Sequence, residues 1–516
     1  MDKLIRRNFF VLFLLLPFTL TIFAQHPKRE MRAVWIASVS NIDWPSSPNL
    51  TCEQQQSELL SILDGLAENN INAVVVQIRP TADALYNSYH EPWSHWLTGT
   101  QGARPDPFYD PLEFITDEAH KRFMDVHVWL NPYRVTTSEK ADLCNEHLFF
   151  KNQELFIKYG NKYYFDPGLD ETREFLNLLV RDIVGRYDID AVHMDDYFYP
   201  YPENKLDFPD QKTFEKYPRG FTPQQKADWR RNNVDMIISE LQTTIKSVKP
   251  WVEFGISPFG VWRNGDVDPR GSATNASIQN YDDLYADILK WLEEGTIDYV
   301  APQLYWEIGK KTADYQILTE WWSRHSFGRN LYIGLAVYKL GQKPTTRERS
   351  AQAWTKGNEL IRQINENRKH TEIDGVMFFS AKNFLANRQG LNDSLKTNYY
   401  KYPALCPVNK NITGMPATQP ENIHVVKDED DAYLLWDKVE KQGGEKIAYY
   451  IIYAFKGKQA GDLQNPENIL ARTRDNFLDL QKISDKRLKG DYTFVVTAVN
   501  RYKNESIPTH AVTRKL

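Results

Sequence analysis

Eight short apolar runs, each followed by a stretch with helical periodicity, constrain the fold of this 516-residue chain more than any other feature. Each run is rich in β-branched and aromatic residues and is bounded by turn residues, which is typical of a buried strand. Strict alternation of strand and helix predicts an α/β fold, a (β/α)8 TIM barrel with long loop insertions. The alternative is a doubly wound open sheet, but no Gly-rich phosphate loop follows any run. The runs are 31–39, 71–80, 124–134, 189–200, 252–262, 297–306, 331–340 and 373–384.

The stretches between the runs predict amphipathic helices that would cover the outside of this barrel. Two of them open with a helix-start signal, a capping residue followed by proline, at Asp110-Pro111 and Thr222-Pro223. The predicted helices are 52–69, 110–122, 171–187, 223–248, 281–293, 313–325 and 345–368.

The character of the chain changes after the barrel, which we predict to span residues 28–402. Prolines between 403 and 419 predict a linker. Short alternating strands then follow, with no helical stretch, and predict a small all-β sandwich over 420–516. In this region Pro420–Ile423, Leu434–Trp436, Tyr450–Tyr453 and Thr497–Arg501 resemble a fibronectin type III domain. The resemblance implies a module that spaces, docks or binds, so a docking partner for it is an expectation.

The balance of charge argues against partners that are bound through bulk positive charge on the protein. The chain carries 63 basic and 68 acidic residues and a net charge of −5, so bulk attraction to nucleic acid or to an anionic membrane is not expected. The three cysteines, Cys52, Cys144 and Cys406, lie too far apart in sequence to form a disulfide framework.

The N-terminus has the pattern of a secretory signal peptide. Basic residues precede an apolar run from Phe9 to about Phe23, and Ala24-Gln25 follows. We predict cleavage of residues 1–24 and an exported protein, periplasmic or extracellular, with no transmembrane segment after cleavage. No cysteine follows the apolar run, so a lipid anchor is not expected.

Polar side chains recur near the ends of the runs, where a barrel carries its active site. Alternation along a strand predicts which of them point inward. An interior filled only for stability would use layers of Val, Ile and Leu, so this convergence of polar groups predicts a functional site. The predicted inward residues are Gln77, Arg79, His127, Trp129, Asn131, Tyr133, His193, Asp195, Gln303, Tyr305 and Glu307.

Hydrolysis of a glycosidic bond uses two carboxyl groups that flank the bond. Asp195 and Asp196 are adjacent, and neighbours on a strand point to opposite sides, so we expect Asp195 to point inward and Asp196 toward the loop. This holds unless the strand ends between them. The second carboxyl is then expected from another strand; geometry favours Glu307, and Asp83 is nearly as plausible. Asp43 and Glu91 are further candidates.

A cleft that binds sugars needs ring faces for stacking and polar groups for the hydroxyls. The candidate platforms are Trp44, Trp93, Tyr133, Tyr197, Trp262 and Trp306. The candidates for binding hydroxyls are Arg79, Asn131 and Gln303, with Tyr305 beside them and His193 behind Asp195. No cofactor and no metal are expected in this interpretation.

Several motifs in order resemble the glycosyl hydrolase-like 10 family over about residues 28–400. The motifs are Arg32-Ala-Val-Trp-Ile36, Gln77-Ile-Arg-Pro80 with Ala82-Asp-Ala-Leu-Tyr86 and Pro92-Trp-Ser94 before Leu97-Thr-Gly99, Trp129-Leu-Asn-Pro-Tyr-Arg134, His193-Met-Asp-Asp-Tyr-Phe-Tyr-Pro200, Gly255-Ile-Ser-Pro-Phe-Gly-Val-Trp262 and Asp298-Tyr-Val-Ala-Pro-Gln-Leu-Tyr-Trp306. The resemblance implies a secreted or envelope glycoside hydrolase acting on peptidoglycan glycan strands freed of their peptides. It implies functional roles for Asp83, Asn131, Tyr133, Asp195, Asp196, Gln303 and Tyr305, and no fixed acid at Glu307.

Three hypotheses therefore stand, and the first leads. The protein is a glycoside hydrolase that uses Asp195 as nucleophile or base and Asp83, Glu307 or Asp196 as the acid, and its partner is a polysaccharide. Alternatively, His127, His193 and Asp195 hold a divalent ion in a metal-dependent deacetylase or amidohydrolase. In the third hypothesis the barrel binds glycan without catalysis, and the sandwich docks it to a partner.

Overall fold

A computed structural model describes residues 26–515 except 140, 204–205, 345–349, 357, 413, 415, 429–430, 440–446 and 484–489. The predicted signal peptide lies outside the described residues. None of the helices within the described residues is both long enough and apolar enough to cross a membrane.

Eight parallel strands close into a barrel, which confirms the fold predicted from the eight runs. Each strand pairs with the next along the chain, and the last pairs with the first. The strands are β1 Met31–Ile36, β2 Ala73–Arg79, β3 Asp125–Leu130, β4 Ala191–Met194, β5 Glu253–Ile256, β6 Tyr299–Val300, β7 Asn330–Ala336 and β8 Ile373–Phe379. Most end several residues before the apolar runs do, because ladder bonds to both neighbours stop at the barrel rim.

A helix follows each strand and covers the barrel. The predicted start at Asp110 is confirmed, since its side chain accepts a hydrogen bond from the backbone N–H of Leu112. The predicted helix 281–293 is instead two pieces, Asn280–Asp283 and Ile288–Glu294. The helices are α1 Cys52–Glu68, α2 Pro111–Lys121, α3 Asp170–Arg186, α4 Lys226–Val248, α5 Ile288–Glu294, α6 Tyr315–Arg324, α7 Glu359–Asn367 and α8 Ala381–Leu385.

The two faces of the strands build two separate cores. Outward residues such as Val74, Val76 and Ile78 pack against the helices, as alternation predicts. Inside the barrel, small residues alternate with large rings, those of Trp35, Trp129, Tyr299 and Tyr332. A Cβ on Gly255 would lie 1.9 Å from the ring of Tyr299, so only glycine at this position of β5 leaves room for that ring.

The C-terminal region is the predicted all-β sandwich. Its strands are β9 His424–Asp428, β10 Asp431–Leu435, β11 Ile447–Lys456, β12 Ile469–Thr473, β13 Phe477–Asp479, β14 Asp491–Asn500 and β15 Val512–Lys515. One sheet has the strand order β9-β10-β13 and the other β12-β11-β14-β15. Trp436, Tyr450 and Phe494 lie in the core between the two sheets.

The segment predicted as a linker is instead packed against the base of the barrel. Leu405 is buried, donates its N–H to the carbonyl of Lys28 (2.8 Å) and accepts from the N–H of Glu30 (3.1 Å). The sandwich is fixed to the same end, because the ammonium of Lys503 lies 3.0 Å from Asp125 and 3.1 Å from Glu253. These long-range contacts hold the predicted linker against the barrel.

Candidate active site

A cleft of about 180 Å³ opens at the carboxyl ends of the barrel strands. Its polar side chains are two aspartates, one serine and one glutamine, and six aromatic residues form the rest of its walls. Seven of the eight strands or the loops after them contribute to it, which brings together residues that are far apart in sequence. The lining residues are Trp35, Trp129, Asp195, Asp196, Tyr197, Ser257, Gln303, Tyr305, Tyr338 and Phe379.

A chain of buried amides fixes the orientation of Asp195. Gln77 accepts two backbone N–H bonds on Oε1 and donates from Nε2 to Oδ1 of Asn131 (2.6 Å). Because Oδ1 of Asn131 is an acceptor here, its Nδ2 donates to Oδ2 of Asp195 (2.6 Å). The indole N–H of Trp129 donates to the same oxygen (3.0 Å). Oδ1 of Asp195 receives only a long bond from the N–H of Tyr197 (3.4 Å) and remains available to a substrate.

Asp196 lines the same cleft, so the prediction that it points toward the loop was wrong. The strand β4 ends at Met194, and alternation no longer applies to the two residues after it. Asp196 accepts hydrogen bonds from the hydroxyl of Tyr201 and from the amide of Gln303. The two adjacent aspartates therefore share one site.

Burial disfavours two negative charges in this cleft. Burial, and next the charge of Asp196, raise the pKa of Asp195 to about 7. Burial also raises the pKa of Asp196. The guanidinium of Arg134, which lies over the ring of Tyr197 (5.3 Å), partly offsets both shifts. The pair therefore holds one proton near neutral pH.

The predicted second carboxyls lie elsewhere. Glu307 accepts from the indole N–H of Trp354 (2.9 Å) and the hydroxyl of Ser350 (3.2 Å), and it anchors the loop before α7. Geometry had placed it inward, but β6 ends at Val300 and the chain turns before Glu307. Asp83 has no exposed surface and accepts from the side chains of Thr81 and Gln101. Neither carboxyl lines the cleft.

The other two carboxyl candidates, and one predicted ligand of hydroxyls, also have structural partners. Asp43 accepts from the N–H of Ala37 (2.8 Å) and the hydroxyl of Ser380 (2.7 Å), and so closes the barrel between β1 and β8. Glu91 forms an ion pair with Arg79 (2.5 Å). Arg79 is fully buried and does not reach the cleft, which corrects its predicted role in binding hydroxyls.

The predicted aromatic platforms divide into two groups. Of these, Tyr197 lines the cleft as expected, and so does Tyr305, which was predicted to point inward but not as a platform. Tyr133 and Trp262 are buried in the core between the barrel and its helices, because the alternation that placed Tyr133 inward stops at the end of β3. Trp306 packs on Phe259 (5.3 Å between ring centroids) outside the cleft lining. Trp44 and Trp93 also belong to the outer core.

His193 lies beneath the cleft in the barrel interior. Its Nε2 accepts from the hydroxyl of Ser257 (2.8 Å) and the indole N–H of Trp35 (3.4 Å), and its Nδ1 contacts the hydroxyl of Tyr299 (2.8 Å). That hydroxyl also contacts Nδ1 of His127 (2.9 Å). Burial holds the pKa of His193 well below its ordinary value, so it is neutral. Since the Ser257 proton points inward, its oxygen presents lone pairs to the cleft.

This arrangement does not support the hypothesis of a metal centre. Both ring nitrogens of His193 are engaged with Tyr299 and Ser257, and His127 lies deeper in the barrel rather than beside Asp195. Over the described part of the chain, no group of three His, Cys, Asp or Glu side chains could hold an ion.

Sequence reasoning missed four residues of the cleft. Trp35 and Phe379 occupy the inward phase of β1 and β8, so alternation applied to those strands would have found them. Ser257 directly follows β5 in the inward phase set by Gly255. Tyr338 lies beyond the end of β7, and no local pattern indicates it.

A second, larger cavity of about 410 Å³ lies between the loops after β2 and β3. His95 and Gln101 line it, and both contact the buried Asp83, with Nδ1 of His95 at 3.5 Å. Among the described residues that line this cavity, Asp142 is the one carboxylic acid, so no pair of carboxyls meets there. The smaller cleft, which holds Asp195 and Asp196, is therefore the candidate active site.

Comparisons with known proteins identify the family of the chain. The model of the family described as glycosyl hydrolase-like 10 matches residues 30–353. Glycosyl hydrolase YngK of Bacillus subtilis is 42% identical over 491 residues, 94% of each chain. Glycosyl hydrolase DigH of Escherichia coli K12 is 39% identical over 375 residues, 69% of this chain and 84% of DigH. The PgaB (BpsB) glycoside hydrolase domain from Bordetella bronchiseptica is similar in structure at 13% identity and a TM-score of 0.43, covering 72% of this chain and 99% of that one. On the family match and these two relatives, the chain belongs to the glycosyl hydrolase-like 10 family.

Proposed function

We propose that this protein is a glycoside hydrolase and that Asp195 and Asp196 are its catalytic pair. The observation that carries the proposal is that two buried carboxyls meet in one cleft with aromatic walls at the carboxyl end of a barrel. Membership of a glycosyl hydrolase-like family supports the same class of reaction.

The shared proton provides the chemistry. One carboxyl donates it to the leaving oxygen as the glycosidic bond breaks, a contribution of about 10²–10⁴ in rate. The other carboxyl, now charged, stabilises the positive charge that develops on the sugar ring. Asn131 and Trp129 hold Asp195 in place during this step, since both donate to one of its oxygens. Tyr197 and Tyr305 offer ring faces to the sugar.

We further propose that the substrate is an envelope polysaccharide, peptidoglycan glycan strands freed of their peptides, and that the protein is exported. The support for the substrate is the resemblance of the motifs, and the support for export is the signal-like sequence at residues 1–24. The absence of a strong net charge is consistent with a carbohydrate ligand rather than a nucleic acid.

The test is product analysis on purified, peptide-free glycan strands. We expect the wild-type protein to release new reducing ends and Asp195→Asn to release about 10²–10⁴-fold fewer per unit time. Cleavage by Asp195→Asn at the wild-type rate would remove Asp195 from the mechanism. Loss of activity after chelator treatment would favour the metal-dependent alternative. Glycan binding without any reducing ends would favour a protein that only binds.

A further inference from the structure

Both carboxyls of the cleft follow the same strand. Among the residues that the structure describes, the cleft lining contains no Asp or Glu other than Asp195 and Asp196. A mechanism with a protein nucleophile or a protein base needs carboxyls on opposite sides of the scissile bond, one for the leaving oxygen and one for the far face of the ring. Asp195 and Asp196 both follow β4, whereas the lining contributed by β8, β1 and the segment after β7 is aromatic. That part of the cleft therefore offers no carboxyl nucleophile.

Aromatic rings occupy another part of the cleft wall. Tyr305, Tyr338 and Phe379 contact each other, with ring centroids 5.9–6.2 Å apart, and Trp35 lies 6.1 Å from Phe379. We call these four rings the aromatic box. The faces of these rings can pack around a small apolar group such as a methyl.

We propose that the cleft selects a sugar with a 2-acetamido group at the cleaved position and that the carbonyl oxygen of this group is the nucleophile. The proposal rests on the proposed function. The methyl group lies in the aromatic box, and the amide N–H donates to Oδ1 of Asp195. The carbonyl oxygen then faces the anomeric carbon from the side where the protein has no carboxyl.

The bonding positions of Asp195 support this division of roles. Its Oδ2 already accepts from Asn131 and Trp129, whereas its Oδ1 receives one long hydrogen bond from Tyr197. The N–H of the substrate therefore donates to Oδ1 and adds a further donor to the carboxyl. Added donors favour the charged form of Asp195. The shared proton then resides on Asp196, which is the general acid.

The reaction forms an oxazoline and then hydrolyses it. The carbonyl oxygen forms a bond to the anomeric carbon while the bond to the leaving oxygen breaks, and that oxygen takes the proton of Asp196. The amide proton moves onto Asp195, which gives a neutral oxazoline. Water then forms a bond to the anomeric carbon as the ring bond from the carbonyl oxygen breaks. Asp196 accepts the proton of that water, and Asp195 returns its proton to the amide. The product retains the anomeric configuration.

The first experiment follows the reaction on peptide-free glycan strands and on strands whose acetyl groups are replaced by trifluoroacetyl. Fluorine makes the carbonyl oxygen a poorer nucleophile. We expect retained configuration by NMR and a kcat/KM at least about tenfold lower on the fluorinated strands. Inverted product, or a change of less than about twofold, would overturn the proposal. If no reducing ends appear from either substrate, the proposed function itself fails.

The second experiment separates the two aspartates with an aryl oligosaccharide whose leaving group needs no proton. We expect Asp196→Asn to lose activity on the natural strands. On the aryl substrate it should still form the oxazoline, which is seen as a burst of released phenolate. Asp195→Asn should lose both. A covalent sugar on either aspartate, detected by mass spectrometry, or equal losses for both variants on the aryl substrate, would contradict the assignment.

Discussion

Burial of Asp195 imposes a penalty on its charged form that an amide does not carry. In the folded protein its pKa is raised to about 7 from the ordinary value of 3.8. A difference of about three pKa units corresponds to at most about 4 kcal/mol in the free energy of unfolding. Because the folded state binds this proton more tightly than the unfolded state, protonated Asp195 contributes fully to folding stability below about pH 4. This contribution is lost as pH rises through 7. The substitution Asp195→Asn should therefore stabilise the protein at pH 8 and not at pH 4.

The thermal unfolding temperature of wild type and Asp195→Asn, measured at both pH values, tests this reasoning. An unfolding entropy of about 2.1 cal/mol/K per residue gives roughly 0.8 kcal/mol/K for the barrel, so we expect a gain of up to about 5 °C at pH 8. Asp196→Asn removes the repelling neighbour and should raise the temperature in the same direction. If Asp195→Asn lowers it equally at both pH values, the donors from Asn131 and Trp129 stabilise the charged form and our account of the pair is wrong.

Activity should fall above about pH 7, where the pair loses its shared proton, and again in acid, where it gains a second; a pH profile of kcat/KM, which reports the free enzyme, measures both limbs. Asn131→Ala should lower kcat by about 10²-fold with little change in KM, because Asp195 loses a donor at 2.6 Å, whereas Glu307→Gln should leave kcat unchanged. Lys503→Met should cost about 3–5 kcal/mol of stability, seen by thermal unfolding, since the buried Glu253 and the partly exposed Asp125 at the barrel base lose their cation.

Local pattern was sufficient for the barrel and for part of the site. Apolar runs and helical periodicity identified eight strands and their order, and alternation placed Gln77, Asn131 and Asp195 inward, where the structure finds them in one hydrogen-bonded chain. The prediction succeeds for these residues because side chains alternate between the two faces of a strand for as long as its backbone is hydrogen-bonded to the neighbouring strands.

Pattern failed where the chain leaves a strand. The ends of β4 and β6 depend on the register with neighbouring strands, which no local window contains. Asp196 was therefore placed toward the loop, and Glu307 was placed in the cleft. The docked segment around Leu405 was missed for a related reason, since its partners, Lys28 and Glu30, lie more than 370 residues away.

Single-turnover cleavage of a defined, peptide-free glycan strand shows directly whether Asp195 and Asp196 together cleave a glycosidic bond. The products are followed by mass spectrometry for the wild type and the two Asp→Asn variants. We predict chain cleavage by the wild type and a loss of about 10²–10⁴ in rate for each variant. Cleavage at the wild-type rate by both variants, or an intact strand after binding to the wild type, would contradict the account.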